Sequence, residues 1–203
     1  MGVRLHHPIS GKRWILPGVV IPLLLAGFVL VLSNQTVSLV LGGDLMLARE
    51  GNAILTSADN FGDAATVIQN ADLALANLES PLTTAGYVER DTPGYNLCTD
   101  DSAIPNLTSI GFDGFSIANN HALDCGEGGV EETSSQLEAA GLFVIGGGHD
   151  PVILEVKGQR IAFLAYEDVL QPLDLDAVLK EVKQSRSLAD ILIVSLHWGN
   201  EYQ

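Results

Sequence analysis

Chemically capable side chains in this 203-residue chain gather at one kind of place, the end of an apolar run. Asp44 follows the run 36–41 and the pair Gly42-Gly43. Asn77 and Glu79 follow 72–76, and His197 follows 191–196, with Glu201 four residues on. The largest group is Ala-Asn-Asn-His-Ala-Leu-Asp at 118–124, which follows 112–117 and contains Asn119, Asn120, His121 and Asp124. Carboxylate, imidazole and amide-oxygen donors together suit a divalent ion such as Mn, Zn or Fe. Two such ions close together could clamp a phosphate and activate water, given a carboxylate at a strand end to bridge them. His121 with Asp124 three residues later has the form of an imidazole oriented by a carboxylate, able to protonate a leaving group. Each item has a plain alternative. Asn119 and Asn120 are good turn residues, His121 could be a structural loop histidine, and Asp124 with Glu127 has the spacing of a capping box. Four such groups in succession favour a site, and of the three histidines beyond residue 33, His121 and His197 directly follow predicted strands whereas His149 does not.

The elements that would position these groups alternate. Strands are predicted at 36–41, 72–76, 112–117, 142–145 and 191–196, and a tight hairpin at 152–165. Helices are predicted at 61–70, 102–110, 127–140 and 173–188, with Ser102 and Asp124 as candidate N-caps and Gly141 as a stop. Residues 81–101 read as a long surface loop, a class that is often functional. The triplet Gly146-Gly147-Gly148 reads as a turn, because it lacks the spacing and following Lys of a phosphate loop. This order indicates an α/β domain with a largely parallel central sheet. The carboxyl ends of parallel strands share one edge, where ligands bind, so the four groups could converge.

Charge and hydropathy bound the partners. The formal net charge is −15, and the first 33 residues hold Arg4, Lys12 and Arg13 with no acid, which leaves −18 on the remainder. So acidic a domain excludes nucleic acid as a partner, since that affinity rests on basic contacts. Residues 15–32 carry no charge; eighteen residues at roughly 1.5 Å each approach the ~30 Å hydrocarbon core. The expectation is a basic cytoplasmic N-terminus at 1–14, a single transmembrane helix at 15–33 and an extracytoplasmic domain at 34–203. A cleaved signal peptide is the rival and exports the same domain. Cys98 and Cys125 are the two cysteines; exported, they could form a disulfide, or they could be two small buried residues.

These motifs carry a family resemblance. Gly42-Gly-Asp44-Leu-Met-Leu-Ala-Arg49, Asn77-Leu-Glu79-Ser-Pro-Leu-Thr83, Ala118-Asn-Asn-His121-Ala-Leu-Asp124-Cys-Gly126 and His197-Trp-Gly-Asn-Glu201-Tyr202 resemble the CapA (PgsA) family over residues 36–203. That family supports poly-γ-glutamate capsule synthesis or export and belongs to the calcineurin-like metallophosphoesterases. The resemblance implies a calcineurin-like metallophosphoesterase sandwich behind a membrane anchor, with poly-γ-glutamate synthase components as partners. It implies Asp44, Glu79, Asn120 and His197 as metal ligands, with Glu79 bridging, and His121 as proton donor with Asp124. There are three departures. Met46 stands where the superfamily has a histidine, Glu79 stands for an Asp, and a final Gly-His-x-His would lie beyond Gln203. An incomplete site is the expectation, so a metal-dependent phosphoesterase and a non-catalytic binding domain both remain alternatives to the capsule role.

Overall fold

The structure is a computed structural model that describes residues 36–48, 58–84 and 96–199. The segments read as cytoplasmic N-terminus and anchor, the middle of the 81–101 loop, and Glu201 lie outside the described residues. Among the described residues no helix is long and apolar enough to cross a membrane. All of them except Thr36 fall in one compact unit, Val37–Gln203.

Alternating short apolar runs and amphipathic segments fold into strands and crossover helices. Strands β1 (Leu39–Leu45), β2 (Leu73–Leu78), β5 (Gly114–Ser116) and β6 (Phe143–Ile145) form one sheet in the order β1-β2-β5-β6. Every pair in it is parallel. Helices α1 (Asp63–Gln69), α2 (Ile104–Ile110) and α3 (Gly129–Ala139) make the crossovers. All six residues of β2 are buried, as expected for a central parallel strand covered on both faces. Its alternate residues serve two cores. Ala74, Ala76 and Leu78 pack with Ile68, Leu107, Ile110 and Leu137 from the helices. Leu73 and Leu75 point the other way, into a core shared with Ile161, Phe163 and Ala165. Full burial of each large apolar side chain is worth roughly 1.5–3 kcal/mol.

Those last three residues belong to a second sheet. Strands β7 (Val152–Val156) and β8 (Gln159–Asp168) form the expected antiparallel hairpin, and β9 (Ile191–Trp198) pairs parallel to β8. Lys157 and Gly158 turn the hairpin with φ of 51° and 77°, the left-handed pair of a two-residue loop. Helix α4 (Leu175–Leu188) is the crossover from β8 to β9, and Asp174 caps it by accepting from the backbone N–H groups of Asp176 and Ala177. The outcome is a mixed α/β fold in which two sheets share one apolar core.

Four local expectations are corrected. The ends of the 81–101 segment are core rather than surface: Leu82 and Leu97 are buried, and β3 (Leu82–Thr83) pairs parallel with β4 (Thr99–Asp100). A buried anchor at each end outweighs the polar composition between them. Asp100, not Ser102, caps the turn before α2, accepting from Ser102 N–H. Helix α3 starts at Gly129 without a side-chain cap, so Asp124 lies well before it and is not its N-cap. Strand β9 runs two residues past its predicted end, which places His197 on the strand rather than after it.

Candidate metal centre

The period-two alternation of strands decides what reaches the centre. Leu73, Leu75 and Asn77 share the face of β2 that looks into the inter-sheet core, so that face ends in an amide. Ile191 and Ile193 occupy the same core from β9, and His197 continues that face. In β1 the register shifts between Leu41 and Asp44, after which Asp44 stands opposite Asn77. Such an irregularity re-aims a side chain, and here it turns a carboxylate toward the edge where the two sheets end. Glu79 follows β2, its backbone N–H donating to Leu45 O at 3.1 Å.

Asp44, Glu79 and His197 each bring one ligand-type atom within 4.8 Å of the others. His197 Nδ1 lies 3.8 Å from Asp44 Oδ1, and Nε2 lies 3.7 Å from Glu79 Oε1. The Asp44 side chain is 56% exposed, whereas those of Glu79 and His197 are 12% and 16% exposed. Two carboxylates beside an imidazole at a half-open edge form a donor set for a hard or borderline divalent ion. Metal–ligand bonds of about 2.1 Å would set neighbouring donors roughly 3.0–3.4 Å apart. The imidazole presents Nδ1 on the Asp44 side and Nε2 on the Glu79 side, so one ion takes one of these nitrogens, and the donor types fit a divalent ion.

Amides knit the centre together. Asn77 Nδ2 donates to Asp44 Oδ1 at 2.8 Å and lies 3.3 Å from His197 Nδ1. Asn119 Nδ2 donates to Asn77 Oδ1 at 3.1 Å and to Leu78 O at 2.9 Å. Asn119 Oδ1 accepts from His121 N–H at 3.0 Å, and Asn120 Oδ1 accepts from His197 Nε2 at 2.8 Å. Asn119, read from sequence as a turn residue, is buried and joins β2 to the His121 turn.

His121 Nδ1 donates to Asp124 Oδ2 at 2.8 Å, and the same oxygen accepts from Leu97 N–H at 2.7 Å. Asp124 is thus hydrogen-bonded both to His121 and to the segment before β4. Cys98 and Cys125 form a disulfide that ties that segment to the turn. Ser80 is fully buried, and its Oγ accepts from the N–H groups of Leu47 and Ala48 at 2.9 and 3.0 Å, fastening the chain after Asp44 to the chain after Glu79.

The residues singled out from sequence as ligands or proton carriers are thus placed. Asp44, Glu79 and His197 cluster, Asn120 touches His197, and His121 pairs with Asp124. Sequence reasoning placed Asn77 and Asn119 among the groups that could converge but did not give them, or Ser80, the hydrogen-bonding roles they have.

Comparison with known proteins follows the same residues. The family described as bacterial capsule synthesis protein PGA_cap matches residues 38–203. The PGA biosynthesis protein CapA of Bacillus subtilis is 25% identical over 84% of this chain and 51% of its own. The capsule biosynthesis protein CapA of Bacillus anthracis is 25% identical over 83% and 48%. A probable polyglutamine synthesis accessory protein of Mycobacterium tuberculosis is 28% identical over 70% and 46%. The chain spans about half the length of the curated relatives it matches. A crystal structure of a hypothetical protein from Thermus thermophilus aligns with a TM-score of 0.46 at 22% identity, covering 80% of this chain and 57% of that one. With a match that begins before β1 and takes in all four motifs, the chain belongs to the bacterial capsule synthesis PGA_cap family.

Proposed function

We propose that this chain is a capsule synthesis protein of the CapA type, membrane-anchored through residues 15–33, which supports poly-γ-glutamate synthesis or export outside the membrane beside synthase components. The convergence of Asp44, Glu79 and His197 within 4.8 Å carries the reading, together with the family match. The fold is read as the calcineurin-like metallophosphoesterase sandwich, and the donor set as a site for Mn, Zn or Fe.

A specific observation favours a second reading on the same site, a phosphoesterase of the cell envelope. The His121–Asp124 pair is held in place by Leu97 N–H, which donates to Asp124, and by the Cys98–Cys125 bridge beside it. A divalent ion bound there supplies Lewis-acid polarisation of a phosphoryl oxygen. Asp44, Glu79 and His197, with Asn120 as an amide-oxygen ligand, would hold the ion. His121, with Nδ1–H committed to Asp124, keeps Nε2 to hold and deliver a proton to a leaving oxygen. A cleft of about 360 Å³ lies beside this turn, lined by Ala122, Leu123, Tyr166, Glu167 and Leu170 among others. Asn119, which bonds Asn77, also lines this cleft, which offers room for the organic part of an ester.

One experiment tests both. The gene is deleted and complemented with the wild-type chain, Asp44→Ala or His197→Ala, and extracellular polyglutamate is quantified. Loss of polymer on deletion, with no rescue by either variant, is expected. An unchanged capsule on deletion overturns the capsule role. Full rescue by both variants overturns the metal-dependent part and leaves a binding domain.

A further inference from the structure

The proton donor sets where the alcohol part of an ester would lie. On the phosphoesterase reading His121 delivers a proton to the leaving oxygen, so the alcohol part sits on the side of the His121 turn. Asn119, Ala122 and Leu123, on either side of His121 in the chain, line the cleft of about 360 Å³. Small residues make its room. Ala118, Gly147 and Ala165 lie along it, and a Cβ at Gly147 would come within 2.7 Å of Ile117 Cδ1. Its walls are aliphatic, with Leu123, Val130, Leu170 and Leu173 supplied by three separate segments. The described residues that line it include one charged side chain, Glu167, and no cation. Glu167 Oε2 accepts from the N–H groups of Val169 and Leu170 at 2.9 and 3.1 Å, and Asp168 Oδ1 accepts from Leu173 N–H at 2.9 Å. These bonds hold the link between β8 and α4 in the form that brings Leu170 and Leu173 to the cleft. Leu123 and Leu170 nevertheless stay 43% and 58% exposed. Exposed apolar side chains grouped at a concavity mark a binding surface.

We propose that this cleft seats the aliphatic chain of a phosphate ester, with Leu123 and Leu170 as specificity-determining residues, so that the substrate class is an alkyl phosphate rather than a nucleotide or an anionic polymer. The phosphate end rests on the phosphoesterase reading; the chain end rests on the cleft. Polarity selects the occupant. A nucleobase needs stacking faces and free hydrogen-bonding groups, but Tyr166 is the one aromatic and Asn119 the one amide along the lining. Asn119 is already committed, its Nδ2 donating to Asn77 Oδ1 and Leu78 O and its Oδ1 accepting from His121 N–H. A chain of carboxylates would meet no cation here and would be repelled by the acidic domain around it. An alkyl chain needs neither partner, because burying its methylenes against the exposed leucines drives binding. The cleft meets a second cavity, of about 290 Å³, at Gly148, Ala165 and Tyr166. Past that boundary the lining turns polar, with His149, Asp150 and Glu181, and the Tyr166 hydroxyl donates to Glu181 Oε2 at 2.7 Å. The aliphatic stretch therefore has a far limit.

The test is calorimetric titration of the full chain with n-alkylphosphonates from butyl to decyl, below their micelle concentrations, with and without manganese. Phosphonates have no ester bond to the chain, so binding is read without turnover. Each added methylene should tighten binding by about fourfold, until the chain reaches the polar boundary at Tyr166 and the gain stops. Manganese should raise the affinity of every length alike. Leu123→Ser and Leu170→Ser should each weaken decylphosphonate binding by about tenfold and flatten the dependence on chain length. Both side chains are exposed, and a wild-type melting temperature shows that a variant folds. An affinity independent of chain length overturns the proposal, as does a dependence that both variants leave unchanged. Self-association through these leucines that decylphosphonate does not displace assigns the cleft to a second copy and overturns it too. A chain-length dependence lost in the variants, with no effect of manganese at any length, upholds the aliphatic cleft and sinks the metal-bound phosphate.

Discussion

Asp44 and Asn77 stand opposite each other across the parallel β1–β2 pair, and the Asn77 amide donates to the Asp44 carboxylate at 2.8 Å. The pairing exists because β1 shifts register between Leu41 and Asp44, while β2 keeps strict alternation through to Asn77. A carboxylate held by one amide at a half-open edge keeps its remaining lone pairs for a cation. The same amide reaches His197 from the second sheet, so the cluster depends on how the two sheets pack.

Divalent ions should stabilise the folded chain. An ion at 100 times its dissociation constant adds about 2.7 kcal/mol by mass action. For a domain of this size that raises Tm by roughly 5–10 °C. Scanning calorimetry with manganese and with chelator checks it, and Asp44→Ala should abolish the difference. Equal melting of wild type with and without ions would count against the site.

Ser80→Ala should act at a distance. Removing Oγ leaves the N–H groups of Leu47 and Ala48 without this buried acceptor. An unsatisfied buried donor costs about 1–3 kcal/mol. Urea unfolding should show a loss of at least that size, and metal affinity should fall because the chain after Asp44 is released. Ser80→Thr, which keeps a hydroxyl, should recover part of the affinity if its methyl is accommodated.

Reduction should loosen the His121 turn. The Cys98–Cys125 bridge closes a sequence separation of 27, for which the chain-entropy relation gives about 3.5 kcal/mol. Denaturation with and without dithiothreitol, or of Cys98→Ser, should differ by about that amount. Hydrogen exchange should rise at Leu97, whose N–H is held by Asp124 beside the bridge. Unchanged exchange there would show that the bridge does not support the turn.

Acid should weaken one surface clasp. The Lys157 ammonium and the Ser38 backbone and hydroxyl donors all reach Asp72 Oδ2 at 2.7–2.8 Å. They lower its pKa from the ordinary 3.8 to about 2, the Lys157 hydrogen bond contributing most. A depressed carboxylate pKa stabilises the fold above the unfolded value, and the contribution disappears as pH falls through the folded one. Stability from this group is therefore complete above about pH 4 and lost between about pH 4 and pH 2. Asp72→Asn should flatten the pH dependence of unfolding in that window, and an unaltered profile would contradict the assignment.

Much of the fold and part of the site were legible in the chain. Apolar runs of four to eight residues bounded by turn residues marked β2, β6, the hairpin and β9. The repeated placement of Asp44, Glu79, Asn120, His121 and His197 after such runs marked where a parallel sheet would present them. Local pattern sufficed because strand alternation and helix periodicity are properties of neighbouring residues. Long-range relations were not accessible in this way. Asn119 looks like any turn asparagine until Leu78 O and Asn77 are brought beside it. Asp124 looks like a helix cap until Leu97 N–H claims its oxygen. Ser80 carries no signal at all without Leu47 and Ala48 above it. The residues able to do chemistry are a matter of composition and spacing. Which hydrogen bond each one makes depends on partners 33 to 120 residues away. Only the packing of two sheets on one core brings those partners within reach.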